Sequence, residues 1–172
     1  KNFEGKIIDA NQKKAETQIN NSKEIDGDVF INIEYSGLDL AGNRYILKSA
    51  EAYNSDTNNE IVNMKSVQAT FYFKDDTVLN VWSDEGEYNN QTLDMKFRGS
   101  VKAIYENSTL YAGQADYSNS KSFLIISNNV KIDDIRGKIV ADKLLFDIKK
   151  QQLNIASFND GKINANIKLK WK

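Results

Sequence analysis

The side chains best suited to chemistry are three acidic groups: Asp75-Asp76, Asp84-Glu85 with Glu87, and Asp133-Asp134. Two carboxylates facing one sugar would make a glycosidase. Neighbours along a strand point to opposite faces, however, and acidic doublets at turns are usually solvated. With His 0 and Cys 0, the chain lacks the commonest general base and the commonest metal ligands, which removes zinc and thiol chemistry. Asn54-Ser55-Asp56-Thr57-Asn58 imitates the first half of a calcium loop. Asn59 replaces its glycine, and Lys65 stands where the bidentate glutamate belongs. There is no G-x-x-x-x-G-K-[ST] phosphate loop. The sequons at Asn20, Asn90 and Asn107 are expected by chance in a chain this rich in Asn and Lys. These patterns favour binding over catalysis.

The elements that must carry any binding surface are strands. A chain of 172 residues, 40% hydrophobic and 27% charged, is long enough to bury one core without metals or disulfides. Lys+Arg 23 against Asp+Glu 24, interleaved rather than clustered, makes nucleic acid a poor partner. No window approaches ~18 consecutive apolar residues. Apolar spacing of two recurs from end to end, the period of a strand with one face buried. Val29, Ile31, Ile33 and Tyr35 form one such series; Val67, Ala69, Phe71 and Phe73 another; Leu93, Met95 and Phe97 a third. Ile163, Ala165, Ile167, Leu169 and Trp171 alternate with polar residues at the C-terminus. Turn signals fall at Gly42-Asn43, Asn58-Asn59, Asp75-Asp76, Asn89-Asn90, Asn107-Ser108, Asn128-Asn129, Asp133-Asp134 and Asp160-Gly161. Residues 1–25 read as an N-terminal edge strand or linker, with a short helix open for Ala10 to Asn20. Residues 26–172 read as one β domain.

The strands repeat. Small residues Ser83, Ala112 and Ala141 are spaced by 29 (112 − 83 and 141 − 112), each five places before an aromatic residue: Tyr88, Tyr117 and Phe146. Ser49 is an earlier copy, 34 upstream of Ser83. A second landmark agrees: Ser66-Val67-Gln68-Ala69 matches Ser100-Val101-Lys102-Ala103 at 34, and Val101 matches Val130 at 29. Such a unit holds two strands of roughly ten residues. Because one hairpin cannot bury its own apolar face, the hairpins must stack into facing layers, as a jelly roll or a solenoid-like sandwich. With Pro 0, the end strands carry no proline to block pairing with a neighbour.

The segment Gly42-Asn43-Arg44-Tyr45-Ile46-Leu47-Lys48-Ser49-Ala50-Glu51-Ala52-Tyr53 resembles the LptC family of the LptA/LptC/OstA-like superfamily. Trp82-Ser83-Asp84-Glu85-Gly86-Glu87-Tyr88, Phe97-Arg98-Gly99-Ser100-Val101, Leu110 to Tyr117 and Ile139 to Asp147 continue the resemblance. It covers about Val29 to Ile155. The second copy has Ser83-Asp84 and the third Ala112-Gly113 where the family usually has Ala and Asp. The resemblance implies an all-β fold, a twisted antiparallel β-jelly roll: an open two-sheet sandwich built from stacked hairpin repeats. It implies no cofactor and a non-enzymatic, periplasmic lipopolysaccharide-binding bridge. The partners would be an inner-membrane lipopolysaccharide ABC transporter and LptA, each joined by edge-strand pairing with a homologous jelly roll. An N-terminal helix absent from this chain would anchor it to the inner membrane.

On this reading the inward faces form a groove for acyl chains. Small inward residues Ala69, Ser83, Ala103, Ala112 and Ala141 share parity with Phe71, Val81, Val101, Leu110 and Ile139. Ile31, Ile33, Leu47, Met95 and Phe97 extend the same surface, followed by Ile125, Val130, Ile132 and Ile155. Ile163, Ala165, Ile167 and Leu169 would form the partner edge. Burying a methylene contributes about 0.8 kcal/mol, so affinity would need no charged clamp. The plainer reading is that an alternating apolar face packs on its partner layer. The competing function is a carbohydrate-binding or adhesive β-repeat module with a closed core, presenting outward aromatics such as Trp82 and Tyr72.

Overall fold

The computed structural model describes residues 24–25, 29–157 and 168–170. The alternating segments form eleven strands: β1 (Glu24–Ile25), β2 (Val29–Leu38), β3 (Arg44–Asn54), β4 (Ile61–Tyr72), β5 (Val78–Asn89), β6 (Met95–Tyr105), β7 (Ser108–Ser118), β8 (Phe123–Asp134), β9 (Gly137–Asp147), β10 (Gln152–Ser157) and β11 (Lys168–Lys170). Every strand pairs antiparallel with its sequence neighbour, giving one open sheet in the order β1 to β11. The result is an all-β, jelly-roll-like architecture. The readings of residues 1–23, and of Ile163, Ala165 and Ile167, lie outside the described residues.

One sheet makes two layers because each long strand turns a corner halfway along. Inward positions spaced by two are reset there to three or four. The buried pairs flanking the corner are Ser49 and Ala52, Met64 and Val67, Ser83 and Gly86, Ala112 and Ala115, and Ala141 and Leu144. In β6 and β8 the pairs are Phe97 and Val101, and Ile126 and Val130, with the extra residue taken up in bulges where the register shifts. Left-handed backbone marks the corner in alternate strands: Asn32 (φ 54), Ser66 (φ 54), Gly99 and Ser100 (φ 78 and 47), and Asn128 and Asn129 (φ 68 and 55).

The corner explains the repeat. Its two landmarks meet as cross-strand partners: Ile33 with Ser49, Ser49 with Val67, Val67 with Ser83, Val101 with Ala112, and Val130 with Ala141. On the concave side of a bend, side chains converge, so a branched residue fits only beside a small one. At Gly86 even a methyl group is too large, because a Cβ would lie 2.9 Å from the Lys96 carbonyl oxygen and 3.1 Å from Val67 Cγ2.

The corner also corrects two expectations. Asn128-Asn129 is no turn but the bulge inside β8; the chain reverses at Asn119–Ser122, where the Ser122 N–H donates to the Asn119 carbonyl oxygen (3.3 Å). The series through Val29 and Ile31 does not continue into Ile33 on one face, because the reset at Asn32 puts Phe30, not Ile31, against the core.

Candidate functional site

The corner divides the sheet into two arms facing each other. The first contains residues 33–49, 67–83, 101–112 and 130–141; the second contains 29–31, 51–65, 85–98, 114–127 and 143–157. Between them lies an apolar interior. Of the sequence-predicted groove residues, Ile33, Leu47, Ala69, Phe71, Val81, Val101, Ala103, Leu110, Ala112, Val130, Ile132 and Ala141 point inward from the first arm. Met95, Phe97 and Ile155 do so from the second. All are buried, and Ile139 is half-buried against them. Ile31 and Ile125 lie on outer faces instead: Ile31 stands opposite Glu51, and Ile125 falls between the inward Leu124 and Ile126. Leu169, in β11, is opposite Leu153.

Among the described residues, the small inward residues lie where the arms converge. Their space is used by the convergence at the corner, and Ala69 and Ala141 are 0% exposed. Farther from the corner, an aromatic belt bridges the arms. Tyr35 meets Tyr88 at 4.9 Å between ring centroids, Phe71 meets Tyr117 at 5.1 Å, and Tyr105 stacks on Phe146 at 5.8 Å. The Tyr45 and Tyr88 hydroxyls share a hydrogen bond of 2.8 Å. Burial pushes the Tyr35 phenol up to about 12 and raises those of Tyr88 and Tyr117, so these hydroxyls stay neutral. The inward alternation missed this belt, although Tyr88, Tyr117 and Phe146 were visible as the aromatic landmark of the repeat.

Opposite the corner the arm tips form a mouth, and polar side chains tie it. Asn119 is the hub: its Oδ1 accepts from the Leu40 N–H of the first arm (3.1 Å) and from the Tyr117 hydroxyl (3.1 Å). Its own N–H donates to Asp94 Oδ1 (2.8 Å) and its Nδ2 to the Thr92 carbonyl (3.1 Å). Asp39 braces the loop carrying Leu40 by accepting from the Asn43 N–H (2.7 Å); burial raises its carboxyl above the ordinary value against the pull of these bonds. A second, weaker tie runs from Gln151 Nε2 to Asp75 Oδ1 (3.4 Å) and Thr77 Oγ1 (3.5 Å). A recess of about 420 Å³ opens here, lined by Leu40, Ala41, Lys74, Asp75, Ile148 and Gln151 among others. No sequence signal marked Asn119, since a lone asparagine after a strand reads simply as a turn.

The acidic groups are dispersed. Asp75-Asp76 sits in a first-arm turn, Asp84-Glu85 on the corner, and Asp133-Asp134 at the end of β8. Glu87 pairs with Lys96 (3.9 Å), while Asp134 is held by Arg136 and Ser108. In the calcium-like segment, Asn58 Oδ1 accepts from the Glu60 N–H (2.9 Å), so that side chain serves its own turn. Among the described residues no cluster of acidic side chains could hold a metal ion, and no helix is long and apolar enough to cross a membrane.

No curated protein matches the chain. The model of the family described as "Lipopolysaccharide-assembly, LptC-related" matches residues 6–163. That covers nearly all of the sheet and its corner repeats, and the chain belongs to the LptC family, proteins of lipopolysaccharide transport associated with the inner membrane and periplasm.

Proposed function

We propose that the chain is a periplasmic bridge that accepts lipopolysaccharide from the inner-membrane ABC transporter and passes it to LptA, holding the acyl chains between its two arms. The observation that carries this reading is an apolar interior enclosed by a sheet that never closes on itself. Across the mouth the arms are tied by side-chain hydrogen bonds rather than by strand pairing. Each such bond contributes about 0.5–1.5 kcal/mol net, whereas each acyl methylene taken out of water contributes about 0.8 kcal/mol. A few methylenes therefore offset the ties, and the aromatic belt exchanges contacts with itself for contacts with lipid. The recess between Leu40 and Ile148 is the place where the tips already stand apart. Hand-off by strand addition is supported by the short terminal strands β1 and β11 at the sheet edges.

A photo-crosslinking residue at Phe97 or Val101 should capture lipopolysaccharide, while one at Lys96, exposed on the same strand, should not. Equal labelling at inward and outward positions would count against an interior path.

A further inference from the structure

An interior that takes acyl chains leaves the charged end of the lipid to be placed. A phosphate drawn between the arms would lose its water among apolar side chains, so it must stay at the mouth. The recess there is lined by cations from both tips: Lys74 on the β4–β5 turn of the first arm and Lys149 on the β9–β10 turn of the second. Both are exposed. Neither forms an ion pair among the described residues, whereas Lys48, Lys65, Lys96, Arg98 and Arg136 do.

The surrounding residues hold these cations where they are useful. Gly42 has φ 85, and a Cβ on it would meet Lys74 Nζ at 3.1 Å and Cε at 3.2 Å. The bare backbone therefore lets Lys74 lie flat along the β2–β3 turn with its ammonium at the recess. The one carboxylate among the described lining residues, Asp75, already accepts from the Thr77 N–H (3.1 Å) and hydroxyl (2.5 Å) and, more weakly, from Gln151 Nε2 (3.4 Å). Leu40, 44% exposed, stands in the same recess. Apolar surface beside two uncompensated cations matches an amphiphile at the junction of its tail and its anionic head.

We infer, resting on the transport reading, that Lys74 and Lys149 seat a phosphate monoester of the lipopolysaccharide headgroup across the parted mouth. When the tips separate, the tie from Gln151 to Asp75 is lost. A phosphate held between the two ammoniums replaces it, and like charges on opposite tips become a bridge. A phosphate monoester carries a charge of about −1.5 to −2 at neutral pH, enough for both lysines, whereas the phosphodiester of a phospholipid such as phosphatidylglycerol offers a single charge. The bound lipid then has one orientation, with its tails past Leu40 and between the arms and its sugars outside.

The test measures affinity of the full chain by displacement of a fluorescent lipopolysaccharide, using intact lipopolysaccharide, the same material dephosphorylated with hydrogen fluoride, and phosphatidylglycerol micelles. Lys74→Gln and Lys149→Gln should each weaken binding of intact lipopolysaccharide about threefold, and the double variant about tenfold. The double variant should bind the dephosphorylated lipid as the unsubstituted chain does, and its affinity for intact lipopolysaccharide should depend less on salt. Lys131→Gln, the same charge change away from the mouth, should leave affinity unchanged. Photo-capture at Phe97 under saturating lipopolysaccharide should be the same in the double variant, so loss of the lysine dependence and loss of the interior path are separate results. Unchanged affinity in the double variant, or an equal loss for the intact and dephosphorylated lipids, would overturn the phosphate seat. An equal lysine dependence for phosphatidylglycerol would overturn its assignment to the lipopolysaccharide headgroup.

Discussion

At the scale of single residues, the inward positions carry small differences between repeat copies that have energetic meaning. Ser49 and Ser83 occupy equivalent corner sites, yet the Ser83 hydroxyl donates to the Glu85 carbonyl oxygen (2.7 Å) while the buried Ser49 hydroxyl has no partner among the described residues. Ser49→Ala should therefore be neutral or raise the urea midpoint, whereas Ser83→Ala should lower stability by about 1 kcal/mol. Equal losses at both sites would contradict this account. Asp134 gives a pH signature. The Arg136 guanidinium beside it, with the Ser108 hydroxyl, holds its carboxyl well below the ordinary 3.8. A carboxyl depressed in the folded state stabilises fully above its unfolded value and loses that contribution as pH falls below it. Asp134→Asn should lower stability at neutral pH and flatten its decline below about pH 4, as read from unfolding midpoints across that range. Alternation alone made most inward residues legible, including Leu47, Phe71, Val81 and Phe97. It failed at Ile31 and Ile125, because parity cannot be carried through a bend whose position is unknown.

At the scale of elements, the corner was half visible. Both of its landmarks, the small residue and the valine shared by Val67, Val101 and Val130, stand out in the sequence as a repeat of about 29 residues. What they are for does not, because a reset of three or four between inward residues looks like the end of one strand and the start of the next. Asn128-Asn129 illustrates this: two asparagines between apolar runs have turn chemistry, and here they supply left-handed backbone within a single strand. The left-handed serines make a direct test possible. Ser66, exposed with φ 54, should tolerate glycine, whereas Ser66→Val should cost about 2 kcal/mol, because a branched residue resists that conformation. On the neighbouring strand, Gly86→Ala should cost about 1–3 kcal/mol through overpacking against Lys96 and Val67. If Ser66→Val and Gly86→Ala both leave the thermal midpoint unchanged, the corner is not the tight point described here.

At the scale of the whole molecule, one sheet folded at a line of corners yields a clamp with a closed spine and a tied mouth. Its all-β character, its antiparallel hairpins and its family resemblance were legible from spacing and motifs. The aromatic belt and the Asn119 hub were not, because contacts between arms join residues far apart in sequence: Leu40 and Asn119 are separated by 79 positions. That separation gives the function a mechanical form: acyl chains enter only if the tips part while the corners hold. Spin labels at Ala41 and Ser120, on the two sides of the mouth, measure this directly by pulsed distance spectroscopy. The account predicts that adding lipopolysaccharide lengthens the distance and broadens its distribution. A control pair on the second arm beside the corner, at Lys65 and Arg98, should stay fixed. An unchanged mouth distance in a sample shown to have lipopolysaccharide bound would contradict it.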